Sequence, residues 1–301
     1  MRLLVLSVFL SLYIVTGCEE KVNSASSSSK IYESEDFHTY WYAGKAEVSS
    51  YSLVQSRYGE TRTGDAVLIF VTEDLSRKNQ VKLDHPEDAG IDKVNVLKLN
   101  FTKNFVTGIY PYSMMLSVFT PVDRVQDQSS QKVAMSVQEW CGQAYTQMNL
   151  RGNRYNIKSH SYFETEGDES LSLKKVFLED EIWNVIRIDH HHLPEGNIRI
   201  LPGLFFTRLN HTDLQSESAM AGKSETDSTF NYTVNFTTLH RTLSIDFEKT
   251  FPYRILRWEE AWSEKGREMQ ARGKLRKTFY TDYWTKNTNA HEHLRDSLGL
   301  R

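Results

Sequence analysis

The sequence predicts a mainly β protein: an antiparallel sheet, strongly curved or partly closed into a barrel, with a few short helices at its ends or mouth. Three observations carry that expectation. Phe230, Tyr232, Val234 and Phe236 alternate with Asn231, Thr233 and Asn235, the period-2 signature of a half-buried strand. Leu239, Leu243, Ile245 and Phe247 repeat the alternation in the opposite phase, so a turn or bulge falls near Thr237-Thr238. Residues 66–72 (Ala-Val-Leu-Ile-Phe-Val-Thr) are almost continuously apolar, which suits a strand buried on both faces or one crossing the core.

The elements follow in order. The folded body begins near Phe37 and is expected to run to 301 as a single β-rich domain. Residues 40–58, rich in Tyr, Trp, Val and Ser, read as strand and end at a turn signal from Gly59 to Asp65. After the run at 66–72 comes a polar loop with His85-Pro86 and Gly90. Val94 to Phe101 and Phe105 to Ile109 read as strands joined at Thr102-Lys103-Asn104, and 112–120 as another, with a loop over 121–131. Ser136-Val137-Gln138-Glu139 matches a capping box, with Val137, Cys141, Ala144 and Met148 near helical spacing, so a helix is predicted there. Residues 178–187 place Ile182, Val185 and Ile186 on one side of a second helix. Pro252 confines the run after it to an edge or a strand start. Residues 253–262 and 274–284 read as a hairpin around 263–273, and 290–298 as a closing helix with Asn289 as N-cap and Gly299 as its stop.

The N-terminus carries an address. Arg2 precedes a short apolar run from Leu3 to Val15, too short to span a bilayer, which needs about 20 residues. Val15-Thr16-Gly17-Cys18 follows: an aliphatic residue, two small residues, then a cysteine. This resembles the lipobox of bacterial lipoproteins. The resemblance implies cleavage between Gly17 and Cys18, a thioether from Cys18 to diacylglycerol, further acylation with a chain such as palmitate, and anchoring at the outer membrane. Residues 1–17 are then the signal peptide and 18–36 a Ser-rich disordered tether. The acidic Glu19-Glu20 pair resembles the surface-export signal of Bacteroidota-type lipoproteins.

Composition narrows the classes. A net charge of −3 argues against a nucleic-acid partner, which calls for a strongly basic face. With Cys18 lipidated, Cys141 is the single cysteine left, so no disulfide framework is available. No P-loop, Gly-rich dinucleotide motif, G-x-S-x-G or HExxH occurs, and no cofactor or metal is expected.

The side chains that could carry chemistry are few. His190-His191-His192 after Asp189 could attract an adventitious metal, but consecutive ligands cannot wrap one ion, and a solvated turn is expected. Cys141 at a helix start would have its pKa lowered by the dipole and could serve a thiol hydrolase with His160, His211 or His240; a buried structural cysteine is the default expectation. Glu164, Glu166 and Asp168, and Glu179, Asp180 and Glu181, could pair as glycosidase carboxylates or bind calcium, but 179–181 also suits the charge of a helix start. Trp258, Trp262, Tyr280, Tyr283 and Trp284 could form a sugar platform, or pack in the core.

Segments such as Glu139-Trp140-Cys141-Gly142 and Leu178-Glu179-Asp180-Glu181-Ile182-Trp183 resemble uncharacterised Bacteroidota-type lipoproteins, some of which carry the label "septum formation inhibitor Maf". Maf proteins are cytoplasmic nucleotide pyrophosphatases, and their N-terminal phosphate-contacting Ser/Arg signature is not found here. The resulting expectation is a non-enzymatic, lipid-anchored envelope scaffold that binds an envelope protein or other ligand. A glycan-binding surface lipoprotein and a thiol hydrolase are the alternatives.

Overall fold

The computed structural model describes residues 31–300. Gly17, Cys18, the expected signal peptide and most of the expected tether lie outside them. The folded body starts earlier than the sequence suggests. A 3₁₀ turn at Ile31–Glu33 buries Tyr32, and Ser34 caps helix α1 (Glu35–Trp41) by accepting from the Phe37 amide. Positions 31–36 therefore belong to the fold and not to the tether.

The fold is mainly β. The strands are β1 (Ala46–Arg57), β2 (Glu60–Ser76), β3 (Lys93–Thr107), β4 (Tyr110–Pro121), β5 (Lys132–Glu139), β6 (Gly142–Arg151), β7 (Arg154–Ser161), β8 (Asp168–Lys174) and the two-residue β9 (Phe177–Leu178). Helix α2 (Ile182–Asp189) follows, then β10 (Gly196–Leu201) and α3 (Leu204–Asn210). Then come β11 (Glu217–Glu225), β12 (Thr229–Phe236), β13 (Arg241–Glu248), β14 (Ile255–Glu264), β15 (Arg267–Thr281) and helix α4 (His293–Ser297). All fifteen strands make one sheet, ordered β8-β7-β6-β5-β4-β3-β2-β1-β15-β14-β13-β12-β11-β10-β9. Every pair is antiparallel except β9 with β10.

That sheet is curled. Phe101 on β3 and Trp258 on β14 are four strand spacings apart, about 19 Å on a flat sheet. Their ring centroids are 5.3 Å apart. The concave face closes on α2 and α3: Trp183 and Phe205 join the same aromatic ring packing. The sheet is nevertheless open, since β8 and β9 end the order and do not pair.

The run at 66–72 is buried on both faces. Leu68 and Phe70 point into the core, whereas Val67 packs outward with Ala46, Val48, Leu298 and Leu300. The segment after α4 covers this convex patch, and Ser50 donates to the Leu298 carbonyl. Gly299, in left-handed conformation at φ +70°, ends α4 as expected. The cap differs: Thr288 precedes a 3₁₀ turn at Asn289–His291, and α4 starts at His293.

Five sequence expectations need correction. Residues 40–58 are not strand throughout, since α1 runs to Trp41 and β1 begins at Ala46. The turn expected from Gly59 to Asp65 is confined to Tyr58-Gly59, since β2 begins at Glu60. Residues 136–148 form no helix; they are β5, a tight turn and β6, with Val133, Met135 and Val137 facing Ala144 and Met148 in the core. Thr102-Lys103-Asn104 is no turn but the middle of β3, with Lys103 fully buried over Phe101 and Phe205. Residues 263–273 are mostly strand, the β14–β15 turn being Lys265-Gly266.

The segment 179–187 threads the interior, and each polar side chain on it reaches a different wall. Glu179 takes a two-pronged hydrogen bond from Arg241 on β13 (2.6 Å each). Asp180 accepts from the Leu204 amide at the start of α3. Glu181 accepts from the Ser130 amide and hydroxyl, both 2.8 Å. Asn184 donates to the Leu97 and Val118 carbonyls of β3 and β4. Arg187 grips Glu47 of β1 with both arms (2.6 and 2.5 Å) and donates to the Pro252 carbonyl. The acidic run at 179–181 thus stands at the start of the helical segment as expected, with Glu181 also accepting from the Leu178 amide in a capping box, and at the same time ties the plug to the sheet.

Two predictions follow from this plug. Arg187 and Glu47 are both fully buried. Glu47→Gln leaves the buried guanidinium without its counter-charge and should cost about 3–5 kcal/mol, whereas the double change Glu47→Leu with Arg187→Met should recover most of it; denaturant melts of the wild type and the two variants test this. Asp180 is raised from 3.8 to about 8, first by burial and then by the Glu179 charge. The folded chain keeps a proton that the unfolded chain releases near its ordinary value, so this group makes stability fall as pH climbs from about 4 to about 8, with no change beyond. Asp180→Asn should remove that component, so the melting temperature of the wild type should drop more than the variant's between pH 5 and pH 8.

Candidate functional site

The plug does not fill the whole concave face. Along β5–β8, Met135, Thr146, Ser159, Glu169 and Leu171 line one wall of a cavity of about 460 Å³. The opposite wall is the end of α3 and the segment His211 to Gln215. The cavity lies at the seam because β8 has no strand beyond it; the chain from α3 onward faces it instead. Its size and mixed lining fall in the range of small-ligand pockets. The segment 211–215 separates it from a second cavity of about 300 Å³ that also touches Pro202, Glu217 and Leu239.

Glu166 holds the upper rim. It accepts from the Ser161 hydroxyl (2.6 Å) and from Arg208 Nη1 (2.5 and 2.8 Å), and it meets His211 Nδ1 at 2.5 Å. Burial alone would raise this carboxyl, but the Ser161, His211 and Arg208 contacts outweigh it and hold it below the usual range. The three residue types suggest a hydrolytic triad, but the geometry opposes it. The Ser161 hydroxyl donates to the carboxylate and not to the imidazole, so no base activates it. The arrangement is a latch that ties the β7–β8 connection to α3.

Of the sequence candidates, Cys141 moves furthest. It is neither buried nor at a helix start: it is exposed at the tip of the β5–β6 hairpin. Its backbone amide donates to Glu139 Oε2, and the hydrogen-bonding Glu139 carboxylate pushes the thiol up, where a helix dipole would have pulled it down. No imidazole partners it among the described residues: His160 instead pairs with Asp168 and His211 with Glu166. His190–His192 form a 3₁₀ turn with no common focus. His190 is a core histidine, packed on Phe230, Phe247 and Tyr253 and lowered to about 3 by burial; His191 and His192 are exposed.

The aromatic candidates divide. Trp41, Trp183, Trp258 and Trp262 are buried. Trp140 and Trp284 are exposed, but at opposite ends of the sheet: Trp140 at a hairpin tip, Trp284 just past β15 where β1 begins. Sequence reasoning missed Arg208 and Ser161, which carry no local signal; the acidic cluster around Glu166 and His211 were both candidates, but nothing in the sequence joined them.

The assembled features define a class: a curled antiparallel sheet, internally plugged, with one open seam and a cavity beside it. No family model and no curated protein matches the chain. Among solved structures it is similar to a "Beta-barrel-like Protein of Domain of Unknown Function DUF1849 from Brucella abortus", with 10% identity and a TM-score of 0.48, over 79% of this chain and 98% of that one.

The raised thiol gives a test. Alkylation of Cys141 by iodoacetamide should be slow at neutral pH and should speed up in Glu139→Gln, because removing the neighbouring charge lets the thiolate form at lower pH. Equal rates in the two proteins would show that Glu139 does not control this thiol.

Proposed function

We propose that this chain is a lipid-anchored cell-envelope protein, held by Cys18, whose curled sheet is a non-enzymatic scaffold for a ligand or partner taken at the seam. The observation that carries the binding half is the cavity of about 460 Å³ between β5–β8 and the segment 211–215. Around it, the groups that could do chemistry are engaged elsewhere: Glu166 is latched to three partners and Ser161 is spent on it. The observation that carries the anchoring half is the Val15-Thr16-Gly17-Cys18 motif. A tether between Cys18 and residue 31 would leave the body free to stand off the membrane.

A second reading, glycan binding, draws on a different surface. Tyr58, Ile109, Trp140 and Tyr162 are exposed on successive hairpin tips or strand ends at one end of the sheet. The Tyr110 and Trp140 rings lie 6.5 Å apart. Such a rim could stack on sugar rings.

Both halves are testable in one strain. Cells fed a clickable palmitate analogue should label the wild type, and Cys18→Ala should lose the label and leave the membrane fraction. A photo-crosslinking residue at Thr165, which lines the cavity but lies off β8, should capture an adduct other than a second copy of this chain in intact cells, and one at the remote, exposed Ile91 should not. Capture at neither position, or equally at both, would remove the seam-binding reading. Capture at Trp140 alone would favour the rim.

A further inference from the structure

The edge of β8 carries an inference drawn from its backbone and not from the cavity that its Glu169 and Leu171 side chains line. Ser161 N–H donates to the Gly167 carbonyl and Lys175 N–H to the Asn153 carbonyl. In an antiparallel ladder this alternation aims the backbone groups of Glu169, Leu171 and Leu173 at β7. Those of Asp168, Ser170, Ser172 and Lys174 therefore face outward, where no strand pairs with them among the described residues. An unpaired row of this kind is a template for another strand.

The sequence on that edge is nearly its own complement. Asp168-Glu169-Ser170-Leu171-Ser172-Leu173-Lys174 reads Ser-Leu-Ser about its centre, with opposite charges at its ends. We propose that β8 pairs with β8 of a second copy of this chain, antiparallel, about a two-fold axis at Leu171. In that register Asp168 faces Lys174 of the partner copy and Ser170 faces its Ser172. Both pairs use the outward backbone groups, so the ladder hydrogen bonds form without disturbing β7. Leu171 meets its own counterpart as a non-hydrogen-bonded pair, the closer of the two spacings. A one-residue slip would oppose inward-directed backbone groups to outward ones and lose the ladder.

The other edge explains why the assembly closes. β9 is two residues long, and the chain leaves it directly for the interior plug. β9 covers only Ile200 and Leu201 of β10, so among the described residues that edge is broken into a two-residue strand and a four-residue stretch and offers no seven-residue row like that of β8; growth through β8 alone gives a strand pair and not a fibre. Arg154 guards the edge at present: it donates to the Ser172 carbonyl and hydroxyl and must swing away, which its exposure allows.

The test is cysteine trapping in membranes of cells expressing the full chain, with Cys141→Ser as background. Leu171→Cys should form a disulfide-linked dimer on mild oxidation, because the two-fold brings its copies within disulfide reach. Leu173→Cys, which faces Glu169 of the partner copy, should give at least tenfold less. Lys174→Glu added to Leu171→Cys should cut the dimer at least fivefold, and adding Asp168→Lys should restore it. Arg154→Ala should raise the yield. Melting curves of each variant check that the fold persists. Equal trapping at 171 and 173, no rescue by the charge swap, or trapping of a different protein in place of a second copy would overturn the proposal.

Discussion

The two-armed contact between Arg187 and Glu47 is what the remaining architecture is arranged around. A buried charge pair is tolerated only with excellent geometry and with its leftover hydrogen-bonding capacity filled. Here the filling comes from three directions. Tyr40 of α1 donates to Glu47, the Pro252 carbonyl takes Arg187 Nε, and the faces of Trp41 and Phe70 cover the guanidinium. Helix α1, strands β1 and β2, the β13–β14 connection and α2 must therefore all be in place together. That is a strong registration device. A wide curled sheet lined with Leu, Val and Phe could accept a hydrophobic helix in many positions. One with fixed charges on its wall accepts α2 in one.

The same logic repeats along the plug and decides where it stops. Glu179 with Arg241 anchors it to β13, Glu181 with Ser130 to the β4–β5 connection, and Asn184 to β3 and β4. None of these anchors hydrogen-bonds to β8, and β7 is met only through Tyr155, which donates to the Ser130 carbonyl. The interior is thus filled beside the plug's anchors and left open at the far end of β5–β8. The cavity at the seam is a consequence of that distribution. It is bounded by polar side chains on the α3 side because α3 and the segment after it form the lid over unpaired sheet.

Much of the fold was legible in the sequence, and the failures share a cause. The alternation at 230–247 and the two-faced run at 66–72 are pure period-2 and continuous signals, and both are strands. The break expected at 102–104 came from Lys103, a charge sitting in the inward phase of Leu97, Leu99, Phe101 and Phe105. Its burial is supported by the Glu260 and Glu179 charges, which oppose the lowering that burial imposes on it. No local reading could foresee those partners. Residues 136–148 failed differently. Val137, Ala144 and Met148 fit helical spacing across a two-residue turn by coincidence, whereas Val133, Met135 and Val137 alone keep strand period. The candidate site was least legible of all, because Ser161, Glu166, Arg208 and His211 converge from two segments with no shared motif.

The open edge at β8 and the plug are linked by chain economy. A sheet that closed fully would bury every strand edge, but it would need a strand to meet β8. The chain at that point turns inward after two residues of β9, because Glu179, Asp180 and Glu181 must reach Arg241, the Leu204 amide and Ser130. The interior anchors take the residues that would have closed the seam. The edge left behind is short, and it carries Asp168 and Glu169 at one end, Lys174 at the other and Arg154 across its middle, the charged dressing that keeps edges from indiscriminate pairing. Such dressing rejects most strands and accepts the one whose charges run the opposite way. An antiparallel copy of the same strand meets that condition by symmetry alone.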